Sequence, residues 1–115
     1  MRHHSKKRKL HREKGQRVAL LRGLSRSLVL RGQVVTTVAK AKELRPYIER
    51  LITVSRNASS ASRRAALREI GSDAVKKLHD DIAKRYHTRP GGYTRIVRIG
   101  RVGKRVGEQA RIEFV

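Results

Sequence analysis

Residues 33–52 constrain the fold of this chain most, because a strand pattern passes there into a helix pattern with no loop between them. Val34 and Val35 are adjacent β-branched residues, which favour a strand. Thr36 and Thr37 follow with hydroxyls that can accept hydrogen bonds from the first free N–H groups of a helix. Apolar residues then recur at steps of three and four, as on one buried helix face, at Ala41, Leu44, Ile48, Leu51 and Ile52. The strand needs a partner, which we expect in a C-terminal hairpin.

The net charge of +21, from 30 Lys and Arg against 9 Asp and Glu, decides the class of protein. A folded domain with this charge repels itself unless a polyanion neutralises it. Nucleic acid is the first candidate for that polyanion, and an anionic membrane surface is the second. The chain has no cysteine, which excludes disulfides and cysteine-based zinc sites and fits a reducing compartment.

The sequence has neither a membrane-span pattern nor a leader pattern. No apolar run approaches the roughly 20 residues of a membrane span, and the opening segment MRHHSKKRKL lacks the apolar stretch of a signal peptide. We therefore expect a soluble, intracellular protein that binds a polyanion.

The charge pattern divides the chain into a basic arm and one domain. The arm spans residues 1–17, where Glu13 is the one acidic residue and too few apolar residues are present for independent folding. A solvated tail or a localisation signal is the alternative reading of the arm. The domain spans residues 18–115 and contains a basic, glycine-punctuated hairpin loop at residues 100–107. We expect the arm and this loop to fill grooves of a nucleic acid.

The order of elements predicts an α+β fold: helix, strand, three helices, two strands. This order favours two layers, with a small three-stranded mixed sheet packed on helices. Pro46 lies inside the second helix and predicts a kink or two collinear pieces. Besides the strand and helix of the first stretch, the predicted elements are helices at residues 18–30 and 62–70, a helix capped at its N-terminus by Ser72 or Asp73, and strands at residues 93–99 and 110–115.

No constellation typical of an enzyme, a metal site or a cofactor site is present. Asp80 and Asp81 lack a third ligand or a paired base, and we interpret them as a solvated face. Gly100 and Gly103 match a G-x-x-G that clamps RNA backbone, but they lie between strands instead of helices. The histidines lack cysteine partners, and we interpret them as phosphate or base contacts or as solvated side chains: His3, His4, His11, His79 and His87.

The shortage of aromatic residues indicates how a nucleic acid would be bound. Binding of single strands by stacking needs an aromatic platform, and the chain has three Tyr and one Phe. The remaining mechanism is contact with the phosphate backbone and the shape of a folded RNA, with arginine forks on phosphates. A nucleoid-type or regulatory DNA-binding protein is the alternative, although no turn-flanked recognition helix stands out.

Five blocks of the sequence, in order and in register, are MRH, ALLRGL, TTVAKAKELRPYIERLIT, RYHTRPGGYTRI and ARIEFV. Together they resemble the L17 family of bacterial large-subunit ribosomal proteins. The resemblance spans essentially the whole chain and is weakest at residues 57–73. It departs from the family pattern also at residues 14–17, at Gly23 and at Phe114.

The resemblance implies a structural constituent of the large ribosomal subunit that binds and stabilises folded ribosomal RNA. It also implies a place near the exit of the peptide tunnel, with the large-subunit protein numbered thirty-two as a neighbour and no homo-oligomer. From the resemblance and the charge pattern together, the predicted RNA-binding residues are Arg2, His3, Lys6, Lys7, Arg8, Lys9, Arg12, Arg17, Arg22, Arg26, Lys40, Lys42, Arg45, Arg95, Arg98, Arg101, Lys104 and Arg105.

Overall fold

A computed structural model describes residues 13–56, 59–104 and 107–115 of the chain. Residues 72–85 form one unbroken helical segment, in which two short α-helices are joined by a π-helical turn. The described order is therefore helix, strand, three helices, two strands, and the predicted α+β fold is confirmed. The elements are α1 (Lys14–Arg31), β1 (Gln33–Thr37), α2 (Val38–Ser55), α3 (Ser60–Ile70), α4 (Ser72–Lys77), the π-helical turn (Leu78–Ile82), α5 (Ala83–Arg85), β2 (Thr94–Gly100) and β3 (Gln109–Phe114).

The sheet of the described residues has the strand order β1-β3-β2, and both neighbouring pairs are antiparallel. The prediction of a mixed sheet is therefore wrong. Strands β1 and β2 do run in the same direction, but β3 lies between them and pairs with each in the opposite direction. The prediction that the first strand pairs with the C-terminal hairpin is confirmed, with Val34 and Ile96 both opposite Ile112.

The core lies between the inner face of the sheet and the helices that cover it. Helix α2 supplies one continuous buried face, as its apolar spacing predicts. Leu51 is the one member of the predicted face that is only partly covered, because it lies at the margin of that face. The largest side chains with no exposed surface are Leu28, Leu44, Ile48, Ile52, Leu78, Tyr93 and Ile112.

The change from strand to helix occurs at Thr37, the residue before α2. Its Oγ1 accepts a hydrogen bond from the backbone N–H of Lys40 at 3.3 Å, as expected for an N-cap. Helix α2 then continues through Pro46 to Ser55 as one element, and Pro46 is exposed to solvent.

Three helix starts differ from the predicted positions. Helix α1 begins at Lys14, so the last residues of the predicted arm are helical. Helix α3 begins at Ser60 because the Ser59 hydroxyl accepts a hydrogen bond from the Ser62 N–H at 3.1 Å. Helix α4 follows Gly71, which has φ 84° and takes the cap position that we expected for Ser72 or Asp73. None of the described helices combines the length and hydropathy that a bilayer crossing requires.

Candidate nucleic-acid interface

The predicted RNA-binding residues separate into those the structure describes and those it does not. The described ones fall into three groups, on α1, on α2 and on the β2–β3 hairpin. Outside the described residues lie Arg2, His3, Lys6, Lys7, Arg8, Lys9, Arg12 and Arg105, and with them most of the predicted arm.

On α1, two of the predicted RNA-binding residues form hydrogen bonds with other side chains of the protein. Arg22 donates to Glu69 of α3 through Nε at 2.8 Å. Arg26 donates through Nη1 and Nη2 to the two carboxylate oxygens of Asp73 at 2.5 and 2.6 Å, and through Nη1 to the carbonyl of Ile70 at 3.0 Å. These bonds fasten α1 to α3 and to the start of α4. Because each guanidinium has five N–H donors and remains about half exposed, both arginines keep donors for a phosphate.

The bonds of Arg22 with Glu69 and of Arg26 with Asp73 form what we call the helix junction. Its charged groups shift one another's pKa values. Hydrogen bonds to Glu69 and Asp73 raise the pKa of Arg22 and of Arg26 respectively. The bond from Arg26 holds the pKa of Asp73 below its usual value. Burial opposes such a change at Glu69, but hydrogen bonds from Arg22 and Tyr47 outweigh it and lower the Glu69 pKa. All four charges therefore persist at neutral pH.

Tyr47 joins the same junction from α2, since its hydroxyl donates to Glu69. Burial, together with the Glu69 carboxylate, raises the pKa of Tyr47 to about 12. The hydroxyl thus stays protonated and keeps donating. Helices α1, α2 and α3 meet at one carboxylate.

On the hairpin, each strand-borne arginine also has a carboxylate beside it. Arg95 donates to Glu113 at 3.1 Å, and Arg98 donates to Glu108 at 3.2 Å. Glu113 accepts a second bond from Arg111 at 2.7 Å. Hydrogen bonds from Arg111 and Arg95 lower the pKa of Glu113. Of the three predicted residues of the turn, Arg105 lies outside the described residues. Arg101 and Lys104 are exposed, and neither forms a side-chain ion pair in the described part of the chain.

On α2, Arg45 pairs loosely with Glu49 at 3.5 Å. Lys42 is exposed and Lys40 is half-buried, and within the described ranges neither has a carboxylate partner. Arg17, in the first turns of α1, is half-buried, and its Nε is shielded without a hydrogen-bond partner in this part of the chain. Among the described residues, the predicted cations without a carboxylate partner are thus Arg17, Lys40, Lys42, Arg101 and Lys104.

The arginines of α3 are not among the predicted RNA-binding residues. Arg63, Arg64 and Arg68 are exposed, and none forms a side-chain hydrogen bond or ion pair with any described residue. The signal was present, because SRRAALREI places Arg64 and Arg68 four residues apart on one helix face.

The prediction for His79 is wrong, whereas the interpretation of Asp80 and Asp81 as a solvated face agrees with the structure. His79 is 7% exposed, and its Nε2 has no partner among the described residues, so it is not a solvated side chain or a phosphate contact. Asp80 and Asp81 are exposed, and Asp81 pairs with Arg85 one turn away at 3.3 Å. No group of three or more metal-ligating side chains that could hold an ion occurs in residues 13–56, 59–104 and 107–115.

Comparison with known proteins gives one consistent family. The family model described as Ribosomal protein L17 matches residues 20–115. A large ribosomal subunit protein bL17 from Sphingopyxis alaskensis is 47% identical over 100% of this chain and 84% of its own length. The bL17 proteins of Erythrobacter litoralis and Gemmatimonas aurantiaca are 46% and 45% identical, again over 100% of this chain and over 83% and 98% of their own lengths.

Proposed function

The chain belongs to the ribosomal protein L17 family, and from this membership we propose that it is a structural constituent of the large ribosomal subunit. In this role it binds and stabilises folded ribosomal RNA and thereby supports translation in the cytoplasm. Its chemistry is binding without turnover. The observation that best supports the proposal is the set of exposed cations with no carboxylate partner among the described residues, in a chain with a net charge of +21.

The mode of binding that we propose is contact with phosphates and with RNA shape. The free cations of α2 and the hairpin turn would neutralise phosphates and release the counterions bound to them. The ion-paired arginines of α1 and β2 would add contacts through their remaining N–H donors. Such contacts position a protein on RNA without reading base edges.

The aromatic residues support this mode, because none of them presents a free stacking surface. Tyr86 and Tyr93 are buried, with ring centroids 5.2 Å apart, and Phe114 lies 6.4 Å from Tyr86. Tyr47 is half-buried and bonded to Glu69. All four aromatic residues of the chain are thus used in packing or in the helix junction.

Sedimentation tests the proposal directly. A tagged full-length chain, expressed in a bacterium whose own copy is deleted, should migrate with the large subunit on a sucrose gradient at low salt. Recovery of the chain free at the top of the gradient, or with the nucleoid, would reject the proposal. Contact with the large-subunit protein numbered thirty-two, which the resemblance implies, stays a prediction that crosslinking of the purified subunit would test.

A further inference from the structure

The outer face of α3 forms a ridge between two shallow clefts. Arg64 and Leu67 make the ridge and line both clefts. One cleft, of about 390 Å³, is completed by Ala61 and Arg68. The other, of about 350 Å³, is completed by Ser60, Arg63, Ser72 and Val75. We refer to these residues together as the α3 face.

The α3 face has three cations and no anion. Arg63, Arg64 and Arg68 are exposed, and no acidic residue lines either cleft. The nearby carboxylates do not neutralise them by hydrogen bonds, since Glu69 accepts from Arg22 and Asp73 accepts from Arg26. Like charges one turn apart destabilise a helix. An external anion would remove that cost.

The backbone that presents these arginines is held firmly. Ser59 caps the start of α3, and Ala66 and Ile70 are buried in the core. At the other end, Arg26 donates to the Ile70 carbonyl at 3.0 Å. A ligand would therefore need to order only the side chains, because the helix is already in place.

The surroundings of the arginines fit the backbone of a nucleic acid. Ser60 and Ser72 line the smaller cleft, and a serine hydroxyl can donate to a phosphate oxygen. Leu67 is 46% exposed on the ridge and can pack against a sugar. No aromatic side chain lines either cleft, so base stacking has no partner there.

We propose that the α3 face is a further RNA-binding surface, which holds the phosphate backbone of ribosomal RNA through Arg63, Arg64 and Arg68. The inference rests on the proposed function and extends it to a segment where the family resemblance is weakest. It assigns the surface to RNA and not to an acidic protein segment, because serine hydroxyls and arginine forks lie together in a shallow cleft.

A salt titration with matched variants tests the proposal. The full-length protein is titrated with fragments of large-subunit ribosomal RNA at several salt concentrations. The measured quantity is the slope of log K, where K is the observed association constant, against the logarithm of the salt concentration. The test variant combines Arg63→Gln, Arg64→Gln and Arg68→Gln. The control combines Lys84→Gln, Arg85→Gln and Arg89→Gln, which remove the same charge from the α5 region. A third variant replaces the three α3 arginines with lysine.

The slope is negative, and we expect the α3 glutamine variant to reduce its magnitude by about 2 to 3. The reason is that each lost phosphate contact removes roughly 0.7 to 0.9 from that magnitude. The control should change the slope by less than about 1. The lysine variant should keep most of the slope, since its charges remain. Circular dichroism checks that all variants are folded.

Three outcomes would overturn the proposal. An α3 glutamine variant with the slope of the control would show that only net charge matters. A lysine variant as weak as the glutamine variant would assign the effect to altered packing. Unchanged RNA binding, combined with lost binding to polyglutamate, would assign the face to an acidic protein. If the unmodified protein itself does not bind the RNA, the proposed function fails as well, and the two failures are thereby distinguished.

Discussion

Arg26 of α1 and Asp73 at the start of α4 share two hydrogen bonds, of 2.5 and 2.6 Å. A third bond from Arg26 reaches the Ile70 carbonyl at the end of α3. A residue that charge and pattern assign to RNA thus also holds three helices together. Some arginines of this protein hold helices together and others are free to bind phosphates. The carboxylate and carbonyl partners of each side chain distinguish the two roles.

The first prediction concerns the glycine that allows this junction. Gly71 has φ +84°, and a Cβ there would lie 2.9 Å from Arg26 Nη1. We expect Gly71→Ala to lower the free energy of unfolding by about 1–3 kcal/mol, because φ 84° with ψ 167° is a backbone conformation that is essentially restricted to glycine. Gly23→Ala is the matched control, because Gly23 lies in α1 with open space around it. It should raise that free energy by roughly 1 kcal/mol. Urea unfolding followed by circular dichroism measures both, and equal effects would contradict the account.

The second prediction concerns Glu49 of α2, which fastens the start of β2. Its Oε2 accepts from the Thr94 hydroxyl at 2.7 Å and from the Thr94 N–H at 3.2 Å, and Thr94 is buried. Glu49→Ala should lower the free energy of unfolding by roughly 1–3 kcal/mol, because buried donors lose their acceptor. A double-mutant cycle with Thr94→Val should show coupling, and strictly additive effects would disprove the shared role.

The third prediction compares two leucines of opposite burial. Leu44 of α2 has no exposed surface, whereas Leu67 of α3 is 46% exposed. Leu44→Ala should therefore lower the free energy of unfolding by roughly 2–5 kcal/mol through lost burial and a cavity. Leu67→Ala should stay within about 0.5 kcal/mol of the unmodified protein. Similar losses at both positions would show that α3 packs differently.

Much of this architecture could be predicted from local patterns. The apolar spacing of α2 located its buried face, and Val34 with Val35 required a partner strand that β3 supplies. The direction of pairing was harder, because it depends on which strand lies in the middle of the sheet. The ion pairs were not visible, since Arg26 and Asp73 are 47 residues apart and only packing brings them together.

His79 shows a further limit of local patterns. The π-helical turn that carries His79 contacts α2, which is distant in the sequence, and no local spacing reveals this packing. A histidine next to Asp80 and Asp81 looks solvated in the sequence. In the structure its side chain is covered, and the charge of Arg63 on α3 contributes to lowering its pKa.

The fourth prediction follows from His79. Burial, assisted by the charge of Arg63 and opposed by Asp80, lowers the pKa of His79 below 6.5. The unfolded chain therefore binds this proton more readily, so the contribution to stability is full above about pH 6.5 and is lost as the pH falls through the folded pKa. The free energy of unfolding should therefore decrease as the pH is lowered from 7.5 to 5.5.

Replacement of the titrating group isolates this effect. His79→Gln should flatten the dependence over that window, whereas His87→Gln, at an exposed position, should leave it unchanged. The carboxylates with lowered pKa values, Glu69, Asp73 and Glu113, act below about pH 4.5 and stay outside the window. A slope that persists in the His79 variant would contradict the assignment.

Competition between nucleic acids tests the central claim most directly. The full-length protein is bound to a labelled fragment of large-subunit ribosomal RNA at near-physiological salt, and unlabelled RNA or duplex DNA is added at equal phosphate concentration. Because both competitors offer the same charge, the account predicts that folded ribosomal RNA displaces the label while duplex DNA does so only in large excess. Equal displacement by duplex DNA would contradict the account and favour a general DNA-binding protein.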